Sequence, residues 1–194
     1  PWVKRVRDAI NGTPSKENLR HVKGSHIVVP RVHEGAHAYI LQNADKRIVF
    51  VIPYQDRYTL IGTTDVPVEA FERPEISQEE IDYLLALANT YLAQPLSRSD
   101  VVWTFSGIRP LYDDGASDPS SITRDYVLKL DTADDAGAAA LSIYGGKITT
   151  YRRLAESAMA KLGRFFGARP AWTAGSSLPG GEFPAEGFDD VLSE

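Results

Sequence analysis

Apolar residues recur every three to four positions in three segments of this chain, which is the spacing of an amphipathic helix. The predicted helices cover residues 3–10, 77–94 and 149–166, and a glycine or proline follows each within two positions. Ser77 and Glu80 form a capping box at the start of the second helix. The faces that we expect to be buried contain Ile81, Leu84, Leu85, Ala88, Tyr91 and Leu92 in the second helix, and Leu154, Ala155, Ala158, Met159, Leu162, Phe165 and Phe166 in the third.

Runs rich in β-branched and aromatic residues predict seven strands between these helices. The first four runs are joined by short segments with polar turn residues, so we predict an antiparallel meander of about four strands. Strands and helices that follow one another in this way indicate the α+β class. From Arg169 onward the chain is rich in Pro and Gly and indicates a linker. The predicted strands are residues 23–30, 38–42, 47–53, 58–62, 101–105, 126–130 and 140–144.

Composition excludes several classes of protein. The 194 residues are 43% hydrophobic and 24% charged, which is enough apolar material for a folded core. Twenty-one Lys and Arg against 26 Asp and Glu give a net charge of −5, which argues against a general nucleic-acid binder. The chain has no cysteine, so disulfides, thiolate zinc sites and cysteine nucleophiles are excluded. No apolar run approaches the length of a membrane-spanning helix.

A glycine pair and a lysine join the last predicted strand to the last long helix. Gly145 and Gly146 let the backbone approach a ligand closely, and Lys147 adds a positive charge. Thr149 and Thr150 open the helix, whose N-terminus favours an anionic or electron-rich group. A simple tight turn between strand and helix explains the same residues. The spacing of a P-loop is missing.

Two arginines are candidates for binding a carboxylate or phosphate. Arg109 lies between Ile108 and Pro110, where the backbone has few conformations open to it, and this would pre-position its guanidinium group. Arg124 precedes Asp125 near the start of a predicted strand. With Lys147 they would form a clamp for a dianion if the three converge. A surface arginine in a turn and a local Arg124–Asp125 ion pair are the alternatives.

His26 is the histidine best placed to act as a general base. It follows a glycine, opens an apolar strand, and has an ordinary pKa suited to proton transfer near neutrality. A hydrogen-bonded structural histidine is the alternative. Thr64 follows another strand beside Thr63 and Asp65, where it could contact a polar ligand or cap a turn. His33 and His37 are four residues apart across a turn, and we expect no metal site.

Five segments, in this order, resemble the aerobic, FAD-dependent glycerol-3-phosphate dehydrogenase family. The resemblance runs from Pro1 to about Trp172, and five such segments in register are more specific than any one alone. It implies a fold of the D-amino-acid-oxidase type, in which an antiparallel substrate cap, packed with helices, joins a Rossmann-like FAD domain. The five segments are KGSHIVVPR (23–31), IGTTD (61–65), WTFSGIRPL (103–111), ITRDY (122–126) and GGKITTYR (145–152).

The family resemblance also implies a reaction and roles for residues. Glycerol 3-phosphate would be oxidised to dihydroxyacetone phosphate, with hydride transfer from carbon 2 to FAD and electrons passed on to membrane quinone. His26 resembles the family's candidate base, helped by Arg109, and Arg109 and Arg124 would bind the phosphate. Lys147 would lie near substrate and flavin, and Thr64 would contact substrate. The flavin would be contacted by Gly145, Gly146, Lys147, Thr149 and Thr150.

The resemblance predicts four parts of the chain: the end of the FAD domain (1–22), the antiparallel cap (23–105), a return to the FAD domain (106–168) and a linker (169–194). The glycine-rich FAD fingerprint is missing, so we expect a fragment that is inactive alone and exposes apolar surface that favours self-association. The full-length protein would be cytoplasmic and peripheral to the inner membrane. Another FAD-dependent oxidase of this fold, or a non-catalytic anion-binding module, is the alternative.

Overall fold

The structure of the protein is a computed structural model, which describes residues 1–12, 16–44, 47–113, 125–132 and 139–193. The chain divides into two compact units, Pro1–Thr123 and Arg124–Glu194. Within the described residues, no helix is both long and apolar enough to cross a membrane.

The first unit is built on a six-stranded antiparallel sheet. The strands lie in the order β2-β3-β4-β1-β5, and β6 pairs with the other edge of β1. The prediction of a sequential meander is therefore wrong for the first strand, which lies beside β4 and does not pair with β2. The strands are β1 (Leu19–Pro30), β2 (Tyr39–Gln42), β3 (Ile48–Tyr54), β4 (Tyr58–Gly62), β5 (Val66–Val68) and β6 (Trp103–Tyr112).

One face of this sheet packs against helix α2 (Gln78–Asn89) and forms the core of the unit. The side chains of a strand alternate between faces, so the buried residues come from every second position. They make one continuous hydrophobic cluster, in agreement with the apolar helix face predicted from the sequence. The cluster contains Ile27, Val29, Leu41, Val49, Val51 and Ile61 from the strands, and Ile81, Leu84, Leu85, Leu87 and Ala88 from the helix.

Helix α2 begins as the sequence predicts and ends earlier. Ser77 accepts a hydrogen bond from the backbone N–H of Glu80, and the Glu80 carboxylate accepts one from the backbone N–H of Ser77. The predicted end at Pro95 is wrong, because the helix stops at Asn89. Tyr91 is consequently exposed and does not join the core face.

The opposite face of the sheet is apolar and largely exposed in the first unit. Trp103 and Phe105 on β6 and Phe50 on β3 are exposed large hydrophobic residues on this face. His26 lies on the same face, because it is paired with Phe105 on one side and with Gly62 on the other. We call this surface the open face. Helix α1 (Val3–Asn11) precedes β1 and ends at Gly12, which has a left-handed φ of 67°.

The second unit contains a two-stranded antiparallel sheet and two helices. Strands β7 (Val127–Asp131) and β8 (Ala140–Tyr144) pair, and helices α3 (Tyr151–Phe166) and α4 (Phe188–Leu192) follow. The predicted apolar face of α3 is mostly exposed, because the unit's small sheet offers little surface to cover it. The predicted linker contains α4 and the 3-10 turns Thr173–Gly175 and Ala185–Gly187. A further 3-10 turn, Ile148–Thr150, precedes α3. In the first unit, Arg98–Asp100 forms another 3-10 turn.

Strand β6 continues past Phe105, where the sequence predicts a domain boundary, and reaches Tyr112. The division into units falls later, after Thr123. Residues 114–124 lie outside the described residues. The three boundaries between the four predicted parts stay predictions.

Candidate active site

The candidate residues fall in both units. His26, Thr64 and Arg109 belong to the first unit. His26 and Arg109 lie on the open face, whereas the Thr64 side chain bonds to Ser25 and Glu80. The glycine-lysine turn at residues 145–147, with Thr149 and Thr150, belongs to the second. Arg124 lies outside the described residues, so its predicted phosphate contact stays a prediction.

His26 is held between two neighbouring strands of the sheet. Its ring stacks on Phe105, with centroids 4.8 Å apart and planes 9° apart. On the other side it lies over Gly62, where a Cβ atom would come within 2.1 Å of the imidazole Cδ2. Only glycine therefore leaves room for the ring in this position. Neither neighbour could be predicted from local spacing, because strand pairing brings Gly62 and Phe105 to His26 from far along the chain.

The Arg109 guanidinium group is held by the segment that follows β4. It forms an ion pair with Asp65, Nη2 donates to Thr63 Oγ1 at 3.0 Å, and Nη1 donates to the Thr64 carbonyl at 3.4 Å. Gly24 makes room for it, because a Cβ there would lie 2.3 Å from Nη2. The side chain keeps 28% of its surface exposed, so a ligand can still reach it. The polar segment Thr63-Thr64-Asp65 thus binds an arginine of the site.

Burial lowers the pKa of His26 below its ordinary value near 6.5, and the positive charge of Arg109 lowers it further. The ring's Nδ1 is buried and has no hydrogen-bond partner among the described residues. An imidazolium ion needs acceptors for both N–H groups, so an unpartnered nitrogen also disfavours the charged form. His26 is therefore neutral at pH 7 and can accept a proton.

Thr64 is almost completely buried, at 2% exposure. Its hydroxyl accepts a hydrogen bond from Ser25 N at 3.0 Å and donates one to Glu80 Oε1 at 2.6 Å. The described contacts of its side chain thus go to the protein, and its predicted contact with substrate stays a prediction. Sequence analysis assigned Glu80 to the helix cap only. Its further partners could not be found from local spacing, because they lie on another strand and loop.

The turn in the second unit has the backbone form that its glycines predict. Gly145 and Gly146 have φ angles of 67° and 97°, which side-chain-bearing residues rarely adopt. Gly146 and Lys147 are exposed, and Thr150 Oγ1 donates to the Lys147 carbonyl at 2.9 Å. A backbone without side chains, next to an exposed lysine and a helix start, fits the flat edge of a flavin. Within the described residues, no group of three or more His, Asp or Glu side chains could hold a metal ion.

A family model described as FAD dependent oxidoreductase matches residues 1–164 of the chain. The aerobic glycerol-3-phosphate dehydrogenase of Escherichia coli K12 is 52% identical over 97% of this chain. The D-erythritol 1-phosphate dehydrogenase of Brucella abortus is 47% identical over 94% of it. The crystal structure of the glycerol-3-phosphate dehydrogenase from Bacillus halodurans, complexed with FAD, aligns with the whole chain at a TM-score of 0.78 and 30% identity.

The chain spans only part of each of these proteins. It covers 38% of the Escherichia coli protein and 36% of the chain in the Bacillus halodurans structure. The alignment over the whole chain agrees with the predicted α+β fold of the D-amino-acid-oxidase type.

Proposed function

Because this chain belongs to the FAD-dependent oxidoreductase family, we propose that it is the substrate-cap segment, with a flavin-contacting turn, of an enzyme that oxidises sn-glycerol 3-phosphate to dihydroxyacetone phosphate. One observation carries the proposal: a neutral histidine and a partly exposed arginine share one face of the sheet. An alcohol that carries a phosphate needs both, since one group must receive a proton and another must bind the anion.

Arg109 binds and orients the phosphate. A guanidinium group donates several parallel hydrogen bonds to phosphate oxygens, and its contacts with Thr63 and the Thr64 carbonyl fix its direction before substrate arrives. An arginine held in advance loses less side-chain entropy on binding, and it places the reacting carbon reproducibly. By family resemblance alone, Arg124 and Lys147 are further candidates for phosphate binding.

His26 receives the proton of the C2 hydroxyl. Oxidation removes a hydride from carbon 2 and a proton from its oxygen, and the C–O bond becomes a carbonyl. A neutral imidazole can take that proton, and the stacked Phe105 ring holds it in one orientation. Burial and the positive charge of Arg109 keep the free imidazole neutral, and that charge also favours the alkoxide that forms as the proton leaves.

Gly145, Gly146, Lys147, Thr149 and Thr150 would hold one edge of FAD. When bound, FAD supplies the hydride acceptor, which no amino-acid side chain can. The exposed lysine and the N-terminus of α3 favour negative charge on the reduced cofactor. We also propose, on family kinship, that the electrons pass to membrane quinone and that the full-length enzyme lies at the membrane surface. Apolar surface that this chain alone leaves uncovered favours self-association.

Substitution of Arg109 in the full-length flavoenzyme tests this proposal. We expect Arg109→Ala to raise KM for glycerol 3-phosphate and to lower kcat/KM at least about tenfold, because a hydrogen bond to a charged group contributes about 1.5–3 kcal/mol. Arg98→Ala is the control, since Arg98 is exposed and paired with Asp82. An unchanged kcat/KM for Arg109→Ala would remove this residue from substrate binding. D-erythritol 1-phosphate belongs in the same assay because one relative is named for it.

A second substitution separates proton transfer from binding. We expect His26→Ala to slow reduction of the flavin by at least about a hundredfold, the usual contribution of general base catalysis, with a smaller change in substrate affinity. Stopped-flow absorbance of the flavin measures both. His37→Ala serves as the control, because His37 is exposed. Equal rates of flavin reduction in His26→Ala and the unsubstituted enzyme would rule out the base assignment.

A further inference from the structure

Glu80 is a buried carboxylate with more partners than a helix cap requires. It is 6% exposed. Its Oε2 accepts from Ser77 N at 2.9 Å, which completes the capping box, and contacts Lys23 Nζ at 2.8 Å. Its Oε1 accepts from Ser25 Oγ at 2.8 Å and from Thr64 Oγ1 at 2.6 Å. One side chain therefore connects the start of α2, strand β1 and the loop after β4.

That loop is the one that holds Arg109. Thr63 Oγ1 and the Thr64 carbonyl accept hydrogen bonds from the guanidinium group, and Asp65 forms an ion pair with it. The only buried polar side chain of this triplet is Thr64, which Glu80 binds directly. We propose that Glu80 is a positioning residue for the anion site: it fixes Thr63–Asp65, and through them the Arg109 guanidinium. This inference rests on the function proposed above.

The direction of each hydrogen bond follows from the carboxylate. An ionised carboxylate can only accept, so Ser25 and Thr64 must each give it their hydroxyl proton. Thr64 Oγ1 is then left to accept from Ser25 N, and Ser25 Oγ accepts from Ser106, which lies 2.8 Å away. Ser106 is on β6, the strand that carries Arg109. The loop after β4 and strand β6 are thus both connected to Glu80 by hydrogen bonds whose donors and acceptors are fixed.

Glu80 stays ionised because its partners outweigh the cost of its burial. Burial is the largest influence and raises its pKa, but hydrogen bonds from Lys23, Thr64, Ser77 and Ser25 together lower the pKa below the ordinary value. Loss of the charge would leave the Lys23 ammonium group, itself mostly buried, without this counter-ion. An uncharged Glu80 would also give up its acceptor-only character, and the orientation of Thr64 would no longer be determined.

A double-mutant cycle in the full-length holoenzyme tests whether Glu80 acts through Arg109. The variants are Glu80→Gln, Arg109→Ala and the double substitution, assayed for kcat/KM with glycerol 3-phosphate. We expect Glu80→Gln to lower kcat/KM at least about fivefold, mainly by raising KM, and to have less than about a twofold effect once Arg109 is alanine. Glu79→Gln is the matched control, because Glu79 carries the same charge in the same helical turn but is exposed.

The outcomes separate this inference from the proposed function. A fold-loss for Glu80→Gln that is the same in both backgrounds would mean a structural role only and would overturn the inference. An Arg109→Ala enzyme with unchanged kcat/KM would overturn the proposed function as well. If Glu80→Gln does not fold, Thr64→Val and Thr64→Ser replace it in the cycle. Valine should then reproduce the Arg109-dependent loss, while serine, which keeps the hydroxyl, should restore activity, and an equal loss in both would contradict the inference.

Discussion

Gly24 on β1 and Gly107 on β6 are directly paired, but only Gly24 lies against the side chains of the candidate site. A Cβ on Gly24 would lie 2.3 Å from Arg109 Nη2 and 2.6 Å from Thr63 Oγ1, whereas a Cβ on Gly107 meets nothing within 4 Å. The obstructed atoms at Gly24 include the mobile end of a long side chain, which can move at little cost in stability. A methyl group at this position would therefore displace the guanidinium group more than it would destabilise the fold.

We expect Gly24→Ala to lower phosphate affinity with a small change in the free energy of unfolding, because the guanidinium group is displaced from its cradle. Gly107→Ala is the matched control, on the same sheet and directly opposite in register. KM for glycerol 3-phosphate in the full-length enzyme and the urea midpoint of each variant are the measurements. Equal KM values for the two variants would show that Gly24 does not make room for Arg109.

The pKa of His26 should respond to the charge of Arg109. Burial is the larger cause of its lowered pKa and Arg109 the smaller, so Arg109→Gln should raise the pKa while leaving it below its ordinary value near 6.5. NMR titration of the imidazole C–H signals measures this directly. Arg98→Gln is the control and should leave the pKa unchanged. A His26 pKa that does not move in Arg109→Gln would mean that the two groups are not electrostatically coupled.

The lowered pKa of His26 also determines how the stability of the fold changes with pH. In the unfolded chain His26 binds a proton more readily than in the folded one, so its contribution to folding is fully present above pH 6.5 and declines as the pH falls through the folded pKa. A fall in pH thus lowers the free energy of unfolding. It also protonates His26, which could then no longer act as the proposed base.

Single residues also show where sequence reasoning stops. Gly107 and Pro110 indicate a turn, yet both lie inside strand β6. Among the described strands β6 pairs with β1 alone, and an edge strand tolerates proline because one set of its N–H groups needs no partner in the sheet. Arg109 was predicted as a candidate because Pro110 follows it and restricts its backbone. Thr63 and Asp65, which bind its guanidinium group, could be predicted only as part of a polar segment, without a partner.

At the scale of the element, the start of α2 could be predicted from local sequence and its end could not. The capping box of Ser77 and Glu80 is a four-residue pattern and was predicted correctly. The helix end was not, because Pro95 only forbids continuation, whereas the regular helix already ends at Asn89 and the N–H of Thr90 bonds to the Leu87 carbonyl in a tighter turn. The strand order could not be predicted either, because spacing indicates hairpins between neighbours in sequence, whereas β1 pairs with β4, and two other strands lie between them along the chain.

Removal of the cap should weaken the unit measurably. We expect Ser77→Ala to lower the free energy of unfolding by about 1 kcal/mol, because the side chain satisfies a backbone N–H group at the start of α2. Ser77→Thr keeps the hydroxyl group and is the control. Urea unfolding followed by circular dichroism measures the difference. A Ser77→Ala variant as stable as Ser77→Thr would mean that the cap contributes nothing to folding.

At the scale of the whole molecule, the two units differ in how completely their apolar surface is covered. The first unit buries a continuous core between its sheet and α2, and this could be foreseen from the alternating strands and the capped helix. The second leaves Met159, Phe165 and Phe166 exposed on α3, although the sequence marks them as a buried face. Periodicity shows which side of a helix is apolar, but it does not show whether the same chain supplies a partner for that side.

The position of β1 between β4, β5 and β6 has a consequence for how the protein is made. A ribosome completes β1 at Pro30, but its neighbour β6 begins only at Trp103. At about 5–20 residues per second the nascent chain spends several seconds with one long edge of β1 unpaired. Backbone groups on such an edge can pair with another chain. Translation speed between these two strands, or a chaperone bound during that interval, would therefore govern the yield of correctly folded protein.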